Sequence, residues 1–480
     1  MEQFSGKRGK NEFSYVRFII LAVSTLFLSF VLASVMAFNT TYVVMCNTTA
    51  SPLNSQYERL MNQSASATIA FDWAPGYLSL AHQRFSFNAV QRSFSFAGPF
   101  AGGLIGTFPM LYVLRRLGAH KTMFIIGLLS SLICALTPQA ISMSFELFIV
   151  LRFISGFITA PLFPVLGTII EDWATMDEKG LFMGVLSAHL EIAPLFTLPV
   201  AAMIAENINW PTVFYVHGLL CALFTVAWLV FYRNDPADHW LISFKEVETI
   251  KWGKHHGDAR MASPPYCAVL SSPAVWSIFA AAIGTVFVGQ FMGVFSPQYF
   301  TSVLGYSPTL TGTLAIIPII AALPVKFLTG IVSDRMSVMS EIAKVRLFNS
   351  LASFLGAFFL VLVLFISPST NLTAATTLIM IPFIMIPFTT GGFQKAALLV
   401  ARQHAPAVFS VIHIFAMITL LTGTFIIPLL TPDNTFDQWK LVFLIFIVIL
   451  VISNVIFIIF VSAEPAEWAE RKMEFVQLSE

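Results

Sequence analysis

Twelve predominantly apolar stretches recur along this chain of 480 residues, near 18–38, 89–113, 122–143, 147–170, 180–204, 212–232, 273–295, 309–331, 347–367, 374–398, 407–430 and 441–461. A helix rising ~1.5 Å per residue needs about 20 such residues to cross roughly 30 Å of hydrocarbon, so each stretch is long enough to span a bilayer. The runs are continuous rather than alternating, so their backbone hydrogen bonds close within each segment and helices are predicted, not a barrel. Composition agrees: 57% of residues are apolar and 11% charged, against about a quarter charged in soluble domains. The expected fold class is all-α integral membrane, with twelve transmembrane helices. The first run precedes Val35-Met36-Ala37, a small-residue cleavage pattern, but its apolar stretch exceeds the usual signal-peptide core, and it is read as a retained helix.

Orientation follows from charge. With both termini inside, most of the 26 Lys and Arg fall on the cytoplasmic side, among them Lys7, Arg8, Lys10, Arg17, Arg115, Arg116, Lys121, Arg335, Lys344 and Arg346, as the positive-inside rule requires. Asn-x-Ser/Thr sequons at Asn47, Asn62 and Asn371 fall in loops of the opposite face and are candidate glycosylation sites. A further sequon at Asn39 lies at or within the membrane and is expected to be unused.

The twelve runs divide six and six. The predicted organisation is a cytoplasmic tail 1–17, a first six-helix bundle 18–232 with an outer loop 39–88, a cytoplasmic linker 233–272, a second bundle 273–461 and a cytoplasmic tail 462–480. In the linker, Ser243 followed by Glu246 forms a capping-box pattern that predicts a short amphipathic helix, Ser capping the first turn and Glu reaching back to it. Gly330-Ile-Val-Ser-Asp334-Arg335 and Arg115-Arg116-Leu117-Gly118 read as related tight turns on the inner side of each half.

Several classes are set aside on the same grounds. A net charge of +1 gives no polyelectrolyte signal for nucleic acid. Cys46, Cys134, Cys221 and Cys267 stand apart with no metal-type spacing, so neither a disulfide framework nor a metal site is expected. No Gly-xxxx-Gly-Lys-Ser/Thr run and no nucleophile or His-rich motif occurs, which argues against ATP-driven pumping, cofactor chemistry and enzymatic activity.

An ionisable group inside the membrane is costly unless paired or wet, so depth ranks the candidates. Glu191, near the middle of the fifth run, reads as a protonatable coupling or substrate group or as half of a structural ion pair, with His189 on a different helical face. Arg152 reads as a bidentate anion holder or as a packing element beside Gly156 and Ala160 at small-xxx-small spacing. Lys326 and Lys395 lie near inner helix ends, where snorkelling to headgroups competes with substrate contact.

The fourth run, Arg152-Phe-Ile-Ser-Gly156-Phe-Ile-Thr-Ala-Pro-Leu-Phe-Pro164 followed by Trp173, resembles a stretch of the anion/cation symporter family of the major facilitator superfamily, which includes sialin, vesicular glutamate transporters and sodium/phosphate cotransporters. Trp210-Pro-Thr-Val-Phe-Tyr-Val-His-Gly218, Pro236-Ala-Asp-His239-Trp-Leu-Ile-Ser243-Phe-Lys-Glu246, Ala405-Pro406, Gln438-Trp439 and Trp468-Ala469-Glu470 are similar in the same order, so the resemblance covers about residues 18–470. It implies the major facilitator fold and secondary transport of a small anionic solute by alternating access, coupled to protons or sodium. Positions at which that family carries charged site residues hold Ala37, Thr159, Gly167, Thr285 and Gln403 here. A transporter-like sensor, receptor or scaffold is therefore the alternative reading. No acidic dileucine address is seen in the tails, and the plasma membrane is favoured over lysosomal or vesicular membranes.

Overall fold

The structure is a computed structural model and describes residues 15–45, 80, 85–175, 178–252, 266–401 and 404–470. Twelve helices among these residues are long and apolar enough to cross a membrane. They are α1 Val16–Met45, α2 Val90–Leu114, α3 Arg116–Met143, α4 Phe145–Trp173, α5 Gly184–Asn207, α6 Trp210–Phe231, α7 Pro273–Ser302, α8 Pro308–Gly330, α9 Glu341–Phe365, α10 Leu372–Ala401, α11 Val408–Leu430 and α12 Phe436–Phe460. A linker helix, Phe244–Lys251, lies between α6 and α7. The side on which α1 ends is called outer, and the opposite side inner.

The helix boundaries have local causes. Asn88, Ser144, Asn209, Ser307, Asn371 and Thr435 each accept a first-turn amide as N-caps, which satisfies donors the helix itself leaves unpaired. Near the start of α3 the backbone turns at Gly118, whose φ of 75° lies in the region open to glycine. The corresponding turn of the second half differs from expectation. The helix runs on from Gly330 through Arg335, and the turn follows it. Gly330 thus lies inside a helix.

Two further boundaries depart from the sequence reading. Hydropathy predicts an end to the first helix near residue 38, yet α1 continues to Met45 with Asn39, Thr40 and Thr41 buried. These polar side chains stay helical because they face protein rather than water or lipid, and Thr41 Oγ1 returns its hydrogen to Ala37 O at 2.7 Å. The outer loop thus begins after Met45, and Cys46, Asn47 and Asn62 lie outside the described residues. Similarly α7 extends to Ser302, past a π-turn at Phe291–Phe295.

Within the first bundle α2 and α4 approach closely along Gly98, Gly102 and Gly106. A methyl group on Gly102 or Gly106 would strike the backbone of Phe153 or Phe157, and one on Gly156 would strike Pro99. Small residues at this spacing let backbones touch where lipid supplies no hydrophobic drive.

Apolar packing is distributed unequally across the membrane. The outer halves of both bundles share one continuous core, in which Phe38, Phe96 and Leu198 of the first bundle join Phe295, Ala315 and Phe443 of the second. The inner halves have separate cores. Phe27, Trp173 and Trp228 belong to one, and Val345, Phe393 and Phe457 to the other. The bundles are therefore closed against each other on the outer side.

Candidate functional site

Helix α5 is interrupted at Ala188, and Glu191 lies in the first turn of the segment that restarts at His189. An acid there is favoured by the restarted helix's dipole. The helical path runs from Lys179 to Asn207 with its break at Ala188, so Glu191 lies near its middle. Across the bundle interface, Lys326 Nζ of α8 meets Glu191 Oε1 at 2.7 Å. The side chains are 22% and 25% exposed, so water reaches the pair. Glu191 Oε2 has no hydrogen-bond partner among the described residues. Lys326 departs from the expectation that it snorkels to headgroups. Because its helix continues to Arg335 it lies deeper than its apolar run indicates, and it pairs with a carboxylate of the other bundle instead.

Lys395 and Arg152 are not brought to this pair, whereas His189 lies within electrostatic reach of both of its charges. His189 is buried and its Nδ1 donates to Leu186 O at 2.8 Å, closing the helix interruption. Lys395 donates to Ser333 Oγ at 3.1 Å and lies 3.1 Å from Glu341, tying the inner ends of α8, α9 and α10 together. Arg152 is buried within the first bundle. Its Nη1 donates to Val35 O at 2.8 Å and its Nε to Ser95 O at 3.1 Å, while the guanidinium lies 4.5 Å from the centroid of the Phe38 ring. Beside it is a cavity of about 10 Å³ lined by Ser34, Ser130, Cys134, Thr137 and Ser155, room for a single water. Of the substituted positions, Ala37 is buried, Thr159 Oγ1 bonds Ser155 O, Thr285 Oγ1 bonds Ala281 O, and Gly167 faces open space, whereas Gln403 lies outside the described residues.

Other groups at the interface carried no strong sequence signal. His413 of α11 stacks on Phe163 of α4 with ring centroids 5.3 Å apart. Gln290 is buried at the start of the π-turn with neither amide atom hydrogen-bonded among the described residues, its amide seated against Gly423. On the outer side, among the described residues, three side chains of the first bundle donate to or accept from backbone of the second. Asn39 Nδ2 donates to Gly293 O at 3.0 Å, Arg92 Nη2 donates to Pro428 O at 2.6 Å and Thr431 O at 2.9 Å, and Glu206 Oε2 accepts from Thr309 N at 2.6 Å. The sequon at Asn39 is thus buried in an interface, while Asn371 is exposed on the outer loop and caps α10.

On the inner side Ser243 caps the linker helix as expected, accepting from Glu246 N at 3.2 Å. Glu246 does not complete the capping box. Its buried carboxylate instead accepts from Val16 N at 3.2 Å and Arg17 N at 3.1 Å, because the first turn of α1 offers unpaired amides and a positive dipole end. Arg17 pairs with Glu246 at 3.2 Å and with both oxygens of Glu178, at 2.9 and 3.0 Å. Burial pushes the Glu178 carboxyl up, but hydrogen bonds from Arg17 and Thr175 and the Arg17 charge outweigh it and hold its pKa below the usual carboxylate value.

Comparison with known proteins fits this architecture. Residues 60–423 match the profile of the Major Facilitator Superfamily. Human sialin is 25% identical over 370 residues, 75% of this chain and 73% of its own length. Sodium-dependent phosphate transport protein 1 of Oryctolagus cuniculus is 24% identical over 449 residues, 92% of each chain. The uncharacterized transporter slc-17.3 of Caenorhabditis elegans is 26% identical over 393 residues, 80% of this chain and 73% of its own. Among solved structures, a bacterial homolog of the human lysosomal transporter Spinster, inward-facing and unoccupied, superposes with a TM-score of 0.66 at 14% identity, covering 92% of this chain and 96% of that one. A D-xylose–proton symporter superposes with a TM-score of 0.62 at 15% identity, covering 93% and 98%. The chain belongs to the major facilitator superfamily, as a divergent multi-pass membrane transporter related to sialin and the sodium-dependent phosphate transport proteins.

Proposed function

We propose that this protein carries a small organic or inorganic anion across the membrane by alternating access, coupled to a proton through Glu191. The observation that supports this most is the position of the Glu191–Lys326 pair. It joins the two bundles inward of the shared outer core, at a level where water reaches both side chains. Its polarity supplies a cycle. An anion that takes Lys326 leaves Glu191 without its cation, and an uncompensated carboxylate in a half-buried site costs several kcal/mol. A proton on Glu191 removes that cost, so anion and proton enter together, and release of both restores the pair. The names of the relatives, sialin and sodium-dependent phosphate transport proteins, agree with an anionic solute.

Uptake into proteoliposomes tests the reading. A panel of carboxylates and phosphate would be offered with and without inward proton and sodium gradients. Concentrative uptake of an anion driven by the proton gradient is the expected result. Uptake driven by sodium alone would remove Glu191 from the coupling role, and no movement of any solute under any gradient would favour a sensor or receptor.

A further inference from the structure

The three outer contacts have a common chemistry. Each begins at a side chain of the first bundle and ends on a main-chain group of the second. Thr309 N belongs to the first turn of α8, and Pro428 O to the last turn of α11, where helices leave amides and carbonyls without internal partners. Gly293 O lies in the π-turn of α7, where the change from i→i+4 to i→i+5 pairing opens the ladder. The charges match the dipoles they meet. The Glu206 carboxylate sits at a helix N-terminus, and the Arg92 guanidinium at a helix C-terminus.

We propose that Asn39, Arg92 and Glu206 are positioning residues of the transport cycle, closing the outer side by capping the interrupted or terminal backbone of α7, α11 and α8. Opening the outer side then means uncapping three helices at once. The released carbonyls and amide pass to water, as helix ends do at any surface. These contacts, among the described residues, are also one-sided. The first bundle contributes side chains and the second contributes backbone, so side-chain changes at the second bundle's positions leave the closure intact. This rests on the alternating-access reading for its meaning, but its test needs no solute.

A reporter placed beneath the closure would read the open state directly. Ala37 is fully buried one turn below Thr41, and Ala37→Cys in a Cys46→Ser background would be challenged from outside with a membrane-impermeant maleimide. Cys134 and Cys221 are buried, and Cys267 lies on the inner side. Labelling should be slow in that background. Asn39→Asp, isosteric but without the donor, and Glu206→Leu should each speed it on the order of fivefold, the population change expected from losing one contact of this kind. Combining them should speed it further, and Arg92→Gln should act alike. Glu206→Gln and Arg92→Lys, which keep an acceptor and donors, should label near the background rate. So should Thr309→Val, which alters only a second-bundle side chain. Unchanged labelling in Asn39→Asp and Glu206→Leu proteins that reach the cell surface would overturn the proposal, as would faster labelling in Thr309→Val. If Arg92→Gln fails to reach the surface, the other two variants decide. Solute uptake by the same proteins is measured separately, so a chain that moves no solute yet labels as expected would sink the transport reading and leave this one standing.

Discussion

The carboxylate of Glu246 receives the backbone amide of Val16 at 3.2 Å, although the two residues are 230 positions apart. The linker between the bundles thereby caps the first membrane helix, and the same side chain holds Arg17 at 3.2 Å. Glu246→Ala removes a helix cap and leaves a cation with one partner fewer, which is expected to lower stability by roughly 3 kcal/mol. Glu246→Gln keeps an acceptor and should lose less. Thermal unfolding of the purified protein in detergent checks both, and equal melting temperatures for wild type and Glu246→Ala would refute the cap.

Glu178 makes the neighbouring contact pH-dependent in a defined direction. Its folded-state pKa is lowered, so its stabilising contribution is complete above the ordinary carboxylate pKa of about 4.3 and fades as pH falls through the lower folded value. The melting-temperature gap between wild type and Glu178→Gln should therefore be constant from neutral pH down to about 5 and close only in stronger acid. A gap that widened on acidification would reverse the sign of the argument.

For the cross-bundle pair, Lys326→Gln should reduce uptake at least about tenfold, since it removes the cation and strands Glu191. Glu191→Gln preserves size and should abolish dependence on the pH gradient while leaving solute exchange. If Glu191→Gln still concentrates solute along a proton gradient, the coupling role is wrong. Loss of surface expression in that variant, restored by the swap Glu191→Lys with Lys326→Glu, would mark the pair as structural.

Arg152 gives a different expectation. Its guanidinium spans carbonyls of α1 and α2 and lies over Phe38, geometry an ammonium cannot reproduce. Arg152→Lys should lower stability by about 1–3 kcal/mol while the KM of protein that reaches the surface holds. A raised KM with an unchanged melting temperature would instead assign Arg152 to anion recognition.

The membrane architecture is legible in the sequence because each span satisfies its backbone locally, so twenty apolar residues announce themselves without reference to neighbours. The cap at Ser243 is equally local. What escapes the sequence is what depends on a partner across the interface. Asn39-Thr40-Thr41 reads as a helix end because hydropathy equates burial with apolarity, yet a bundle interface buries polar groups that find carbonyls. Lys326 resembles a snorkelling lysine, and the ion-pair reading of Glu191 names no partner, since nothing in one helix's periodicity indicates a countercharge 135 positions away. The glycines at 98, 102 and 106 carry the right spacing for close packing, but spacing alone does not name α4 as the partner.

The π-turn at Phe291–Phe295 is what one inserted residue does to an α-helix. A chain shortened by one residue there could re-form a regular helix, at the expense of turning everything above it by about 100°. Ser296 through Ser302 would then present a different edge to α1, and Tyr299 would leave its place against Trp439 and Phe443. The length of this helix is therefore fixed to the residue although its apolar composition is not. Hydrophobic substitutions along its outer end should be far better tolerated than any single deletion, and a lineage could gain or lose this turn only together with compensating change in α1 and α12.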